Sequence, residues 1–149
     1  MRDNETRLAC RDQRIAAFDY GMRRVGWAVC DERHIVTSTK GVFDTKSPTF
    51  WNELQLGLQR ERVGVCVVGV PQREDNEESS MMRACRDFAE KLREFTSLPV
   101  FLADESFSSK RAVETMISIG VKKSNRRDKS RTDEISAAII LRDFLQELE

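Results

Sequence analysis

The sequence is poor in the residues that build soft-metal and redox sites. It has one histidine, His34, and four cysteines that form no Cys-x-x-Cys pair. A zinc ribbon, a multi-histidine zinc centre and a thioredoxin-type redox motif are therefore excluded. Scattered cysteines in a chain without an export signal are typical of reduced core residues in a cytosolic protein. We expect that role for Cys10, Cys30, Cys66 and Cys85.

Long apolar runs and an excess of charge of one sign are also missing. The most apolar run, 63–71, is far too short to cross a bilayer, and the polar start of the chain does not fit a signal peptide. These features predict a cytoplasmic protein without a membrane partner. Lys plus Arg and Asp plus Glu each number 25, which excludes a protein that coats DNA by bulk charge. A local basic patch remains compatible with this balance.

The pattern of apolar residues predicts one α/β domain in the 149 residues. Short apolar runs at 15–18, 26–30 and 35–43, separated by tight turns, indicate an antiparallel meander. Helical spacing at 50–58 and 81–95 then alternates with strand patterns at 63–70 and 98–103, and two more helices are predicted around 113–117 and 137–148. Residues 1–13 carry no periodicity, so we expect a loose, flexible arm before a domain of residues 14–149.

Acidic residues stand where predicted strands end or a helix begins. Asp19 closes the first strand, Asp104 and Glu105 close the last strand, and Asp133 opens the final helix. If the first, fourth and fifth strands are parallel neighbours, their carboxyl ends share one edge of the sheet. Carboxylates gathered there would repel one another unless cations neutralised them, which favours a site for Mg²⁺ or Mn²⁺, with two ions. Turn chemistry, a solvated strand end and helix-dipole stabilisation are the alternatives for the individual acids.

A basic segment leads directly into Asp133. Residues 122–131 hold six basic side chains against Asp128 alone, which predicts a flap that binds phosphate, with a solvated loop as the alternative. Its basic members are Lys122, Lys123, Arg126, Arg127, Lys129 and Arg131. Arg23 and Arg24, in the hairpin after Asp19, are further candidate phosphate contacts, or ordinary turn residues. The charged segment 72–78 is interpreted as a loop rather than a lid.

Several motifs together resemble the YqgF family, whose members are similar to Holliday-junction resolvases. The opening motif is FDYGMRRVGWAV at 18–29. The other matching segments are VVGVP at 67–71, FAEKL at 88–92, PVFLADE at 99–105 and DEISAAIIL at 133–141. The resemblance covers about residues 14–147, and its specificity lies in the order and spacing of the motifs. Two departures stand out: Ser106 replaces the arginine usual in the family, and 72–74 (QRE) replaces a glycine-bearing turn.

The resemblance implies a ribonuclease H-like fold, a five-stranded mixed sheet with three antiparallel strands plus two parallel ones, flanked by helices. It also implies a cytoplasmic, metal-dependent nuclease that processes the 5′ end of pre-16S rRNA. Asp19, Glu105 and Asp133 would be the catalytic acids, with Asp104 as a further metal ligand. RNA is favoured over DNA, ribosomal precursor particles are expected partners, and the chain would be a monomer or a weak homodimer. The alternatives are a Holliday-junction resolvase and a non-catalytic nucleic-acid-binding module of the same fold.

Overall fold

The most apolar segment of the chain forms the fourth of five strands and lies inside the sheet. In the computed structural model, residues 2–71, 78–105 and 129–149 are described. Their strands are β1 (Arg14–Tyr20), β2 (Arg24–Cys30), β3 (Thr37–Asp44), β4 (Val63–Pro71) and β5 (Val100–Glu105). Their helices are α1 (Asn4–Cys10), α2 (Phe50–Arg60), α3 (Ser80–Thr96) and α4 (Lys129–Leu148). No helix within these ranges is long and apolar enough to cross a membrane.

The sheet has the order β3-β2-β1-β4-β5 and confirms the predicted mixed architecture. β1, β2 and β3 pair antiparallel, whereas β4 pairs parallel with both β1 and β5. β4 is buried along most of its length, as its unbroken β-branched sequence predicts for a strand covered on both faces. The parallel pairing brings the carboxyl ends of β1, β4 and β5 to one edge of the sheet.

Strand alternation divides the core into two layers. Along β1, Ala16 and Phe18 pack in the layer that contains α2 and α3, while Ile15 and Ala17 face the layer of α4. The apolar side of α3 confirms the helix predicted from the spacing at 81–95. All four cysteines are free and buried, which confirms their assignment as reduced core residues.

The prediction of a loose arm is wrong for residues 4–10, which form α1. Asp3 caps this helix by accepting a hydrogen bond from the Thr6 backbone N–H at 2.8 Å, and Cys10 is buried. The Arg2 guanidinium ties the segment to the end of α4. Its Nε lies 2.6 Å from Glu147 Oε2, and its centre lies 4.9 Å from the Phe144 ring. Because these contacts span the whole sequence, local periodicity gives no sign of them.

Two arginines bind the outer edge of β5. Arg93 Nη2 in α3 donates to the Val100 carbonyl at 2.7 Å. Arg2 Nη2 donates to the Leu102 carbonyl at 2.8 Å. Among the residues that the structure describes, β5 is the last strand of the sheet and no strand pairs with these carbonyls, which accept hydrogen bonds from the guanidinium groups instead.

Element boundaries differ from the predictions in two other places. β3 begins at Thr37, because the turn before it includes His34 at φ 59° and leaves Ile35 exposed. α4 begins at Lys129, four residues before Asp133, so the end of the predicted basic segment is helical. The helix predicted near 113–117, the loop at 72–77 and residues 121–128 lie outside the described residues.

Replacing Arg2 by alanine should lower the free energy of unfolding by about 1–2 kcal/mol, since an ion pair, a cation–π contact and a hydrogen bond are lost together. A melting temperature lower by about 3–6 °C would report this loss. Arg11→Ala is the matched control, because Arg11 is exposed just beyond the same helix. Equal melting temperatures for the two variants would show that the Arg2 contacts add no stability.

Candidate active site

Asp19 lies near the carboxyl end of β1, on the sheet face that α4 covers. Loss of hydration raises the pKa of its carboxyl well above the usual range, and the charges of Glu105 and Asp133 raise that pKa further. Glu105, at the end of β5, shares a hydrogen bond with Asp19 that acts in the same direction. The structure therefore brings together three acids that are 86 and 28 residues apart along the chain, as the topology of the sheet edge predicts.

Ser136 is a polar partner of Asp19 that the motif analysis did not single out. Its side chain is buried, with 1% of its surface exposed, and it hydrogen-bonds to Asp19 in a way that lowers the pKa of that carboxyl. Ser136 follows Asp133 by three residues in α4, so both lie on the same side of the helix. The three-residue spacing of these two polar residues, at the start of an otherwise apolar helix face, could have identified Ser136 as a site residue from the sequence.

Two glycines allow the acids to approach the sheet. Gly26 of β2 pairs with Asp19, and a Cβ atom at Gly26 would overlap the carbonyl oxygen of Asp133. The backbone of α4 thus rests directly on β2. A Cβ atom at Gly69 of β4 would lie 2.8 Å from Glu105 Oε2 and 2.5 Å from Ile140 Cδ1. At both positions, the missing side chain leaves the space that an acid-bearing segment occupies.

Arg24 contacts one of the acids. Its Nε donates to Asp133 Oδ2 at 3.0 Å, and both side chains are partly exposed. Arg23, the other arginine predicted to bind phosphate, is exposed in the turn between β1 and β2. The two neighbours therefore differ: Arg24 pairs with Asp133, whereas Arg23 extends the basic surface of the turn.

Asp104 lies on the face of the sheet opposite to that of Glu105. It pairs in register with Val70, whose side chain packs in the layer of α2 and α3, and strand alternation places Asp104 on that same face. Asp104 is exposed, whereas Glu105 faces the α4 layer with Asp19. Of the two adjacent acids, Glu105 is the one that the sheet directs to the site.

The basic segment is described only in part. Lys122, Lys123, Arg126 and Arg127 lie outside the described residues. Lys129 and Arg131 belong to the first turn of α4, the helix that carries Asp133. Their backbone therefore lies at the same end of α4 as the acids.

The three acids offer the type of ligand atom that a hard divalent cation prefers. Asp19, Glu105 and Asp133 offer carboxylate oxygens only, and carboxylates crowded in a poorly hydrated place are what such a cation neutralises. In residues 2–71, 78–105 and 129–149, no three or more histidine, cysteine, aspartate or glutamate side chains are placed so that they could hold a metal ion together. The ion pair with Arg24 is one contact that holds Asp133 in the arrangement described.

The fold is ribonuclease H-like. The structure of Thermus thermophilus RuvC in complex with Holliday junction substrate matches with a TM-score of 0.54 at 17% identity, covering 91% of this chain and 96% of that one. A second T. thermophilus RuvC structure gives 0.53 at 15% identity, with the same coverage. At these identities, the likeness is one of fold.

The chain belongs to the RuvX family, also called YqgF, which confirms the resemblance drawn from its motifs. The family model described as "RuvX: Holliday junction resolvase" matches residues 13–147. A Porphyromonas gingivalis relative is 41% identical over 133 residues, covering 89% of this chain and 95% of the relative. A Christiangramia forsetii relative is 39% identical over 135 residues, covering 90% and 98%. Both are named "Putative pre-16S rRNA nuclease".

Replacing Arg24 by alanine should tighten the binding of Mn²⁺ about 5-fold, because the guanidinium competes with a cation for Asp133. Titration calorimetry without nucleic acid measures this effect separately from catalysis. Arg23→Ala is the matched control, since it removes a neighbouring arginine that does not contact Asp133. Weaker Mn²⁺ binding in Arg24→Ala would mean that Arg24 positions Asp133 for the cation instead of competing with it.

Proposed function

We propose that this protein is a metal-dependent nuclease that hydrolyses a phosphodiester bond during maturation of the 5′ end of pre-16S rRNA. The carboxylates of Asp19, Glu105 and Asp133 would hold two Mg²⁺ or Mn²⁺ ions. The observation that carries the proposal is the placement of Asp19 beside the other two acids, at the edge where the parallel strands end. A cluster that costs folding energy in the absence of a cation is typical of a functional site.

Each element of the site has a defined part in this proposal. Asp19 would bind a cation directly. The hydrogen bond with Ser136 would fix the orientation of the Asp19 carboxylate. Glu105 would complete the donor set from the neighbouring parallel strand, and α4 would present Asp133. Cations bound there would supply an activated water and neutralise charge on the phosphodiester.

The nucleic-acid backbone would contact basic side chains around this edge. Arg23 is exposed in the turn after Asp19, and Arg24 is directly beside Asp133. We assign the same role to Lys122, Lys123, Arg126, Arg127, Lys129 and Arg131. A phosphate that draws Arg24 away from Asp133 would also release that carboxylate, which couples substrate binding to assembly of the site.

The choice of RNA rests on the names of the relatives, which cover nearly the whole chain. Resolution of a Holliday junction is the second candidate, favoured by the description of the matching family model. A resolvase has to cut two strands symmetrically, so this candidate requires a dimer. With the first candidate, we place the protein in the cytoplasm as a monomer or weak homodimer, acting on ribosomal precursor particles.

Cleavage assays decide between the candidates. A pre-16S rRNA 5′ fragment, single-stranded DNA and a four-way DNA junction would each be incubated with Mg²⁺, Mn²⁺ or EDTA. Wild type would be compared with Glu105→Gln and, as a matched control from the same strand end, Asp104→Asn. We expect metal-dependent cutting of the RNA that is lost in Glu105→Gln and retained in Asp104→Asn.

Other outcomes are equally informative. Preferred symmetric cutting of the junction by a dimer would replace rRNA processing with junction resolution. Binding of nucleic acid without any cutting would leave the non-catalytic module. Loss of activity in Asp104→Asn, with Glu105→Gln active, would contradict the site assignment.

A further inference from the structure

A groove lined by aromatic rings opens on the sheet face opposite the acids. It is a cavity of about 300 Å³ between α2, α3 and the end of β1. We call it the aromatic groove and define it by Tyr20, Thr45, Trp51, Asp87, Phe88 and Lys91. A second hollow of about 260 Å³ shares Trp51 and Lys91 and extends the groove to Glu94 and Phe95. The two hollows are neighbours along α3.

The rings of the groove are already arranged for stacking. Phe88 is buried, and Tyr20 and Trp51 stack against it with centroid distances of 4.8 and 5.7 Å. Tyr20 and Trp51 are only half-buried, and Phe95, 5.4 Å from Trp51, is 41% exposed. Solvent therefore reaches three aromatic side chains, two stacked on the buried Phe88 and the third packed on Trp51. A flat aromatic ligand can stack on rings arranged in this way.

One end of the aromatic groove is formed by residues next to the candidate active site along the chain. Tyr20 directly follows Asp19, on the opposite face of β1. Thr45 donates from its hydroxyl to the Met22 carbonyl at 2.6 Å and from its N–H to the Arg23 carbonyl at 3.0 Å. The groove thus begins at the turn that carries Arg23. A nucleic-acid strand whose backbone contacts that turn can reach it with a neighbouring base.

The charges in the groove favour a base over a phosphate. Lys91 is offset by Asp87 and Glu94, so the groove has no net positive charge with which to hold a phosphate. A nucleobase instead offers a flat ring for Tyr20 and Trp51, and amino hydrogens for the Asp87 carboxylate. Lys91 can pair with a phosphate at the rim.

We infer that the aromatic groove binds an unpaired nucleobase of a single-stranded RNA segment close to the cleavage site. This inference rests on the proposed nuclease function and adds a specificity to it. A base in a duplex is stacked and paired, so it cannot enter the groove. The protein would therefore prefer single-stranded RNA to a duplex of the same sequence.

Binding measured in EDTA tests the groove without interference from cleavage. A short fluorescein-labelled RNA, single-stranded or annealed to its complement, would be titrated by anisotropy with wild type, Trp51→Leu and Phe95→Ala. Leu56→Ala is the matched control, because Leu56 is an exposed apolar residue of the same helix α2 that lies outside the groove. Thermal melting establishes that each variant folds. Phe95→Ala removes a partly exposed ring at the surface, so it tests the groove even if Trp51→Leu is unstable.

We expect Trp51→Leu to weaken single-strand binding about 10-fold and Phe95→Ala to weaken it less, while Leu56→Ala matches wild type. Binding of the duplex should not change. With Mg²⁺ present, the variants should show a raised KM and an unchanged kcat, because the groove contacts a base and not the phosphodiester that is cleaved.

Three results would overturn the inference. In the first, both groove variants bind and cut like wild type, so the groove fails while the nuclease stands. In the second, wild type neither binds nor cuts RNA, so the proposed function fails as well. In the third, wild type sediments as a dimer that Trp51→Leu converts to a monomer with RNA binding intact, so a second copy of the chain fills the groove.

Discussion

Asp19→Asn should abolish metal-dependent cleavage and, in the absence of metal, make the protein more stable. Asparagine retains the shape of the side chain but removes the charge that would bind cations, so we expect activity to fall at least about 1,000-fold. The same change removes a poorly hydrated carboxyl that is repelled by Glu105 and Asp133. We expect a gain of about 1 kcal/mol in the free energy of unfolding.

The pH dependence of that gain follows from the sign of the pKa shift. The pKa of Asp19 is raised in the folded protein, so above the ordinary carboxyl value of 3.8 the unfolded chain loses its proton more readily. Wild type therefore loses stability relative to Asp19→Asn as the pH rises from about 4. The advantage of the variant should be small near pH 4 and larger at pH 7.

Urea unfolding in EDTA at several pH values measures the predicted gain in stability, and the RNA cleavage assay measures the predicted loss of activity. Adding Mn²⁺ should stabilise wild type and leave Asp19→Asn unchanged, because the variant has lost its ligand. An Asp19→Asn variant that stays active would contradict a role for Asp19 in cleavage, and one that is less stable than wild type at pH 7 would contradict repulsion of its carboxylate by Glu105 and Asp133.

Gly26→Ala should damage both the fold and the site. The added methyl group would overlap the Asp133 carbonyl and lie 2.8 Å from the Glu134 backbone nitrogen. These are backbone atoms of a helix, so they cannot turn aside as a flexible side chain could. We expect the free energy of unfolding to fall by about 3 kcal/mol, and cleavage to fall at least about 100-fold as Asp133 is displaced from Asp19.

Gly64→Ala supplies the control for that substitution. Gly64 is also in a strand of the same sheet, but its added methyl group would meet the end of the Gln13 side chain, which can rotate away. Gly64→Ala should therefore remain active and lose little stability. Equal losses in the two variants would indicate a general intolerance of alanine in the strands, and not a specific contact between β2 and α4.

The sequence predicts the position of the site because its acids follow recognisable elements. Apolar runs end near Asp19 and Glu105, and parallel strands bring such ends together, so topology alone predicts that they meet. The same reasoning could not separate Glu105 from Asp104, since their faces depend on the register of β5 against β4. The role of Gly26 in placing Asp133 could not be predicted for a related reason. Its close contact with Asp133 arises only when α4 packs on the sheet.

The N-terminal helix could not be predicted from the sequence pattern. α1 is seven residues long, too short for periodicity to reveal, and its partners lie at the far end of the chain. Residues 4–10 also precede the segment that matches the family, so the resemblance offered no information about them. Only the packed structure shows what holds this helix.

The arginines at the outer edge of β5 bear on how copies of this protein behave in concentrated solution. An exposed strand edge is a template on which the strand of another molecule can add, and this is a common route to aggregation. At Val100 and Leu102, the carbonyls that an incoming strand would need already accept hydrogen bonds from Arg93 and Arg2. Growth of the sheet from this side would have to displace two charged side chains supplied by different parts of the fold. The Arg2 contact therefore also protects against intermolecular strand pairing.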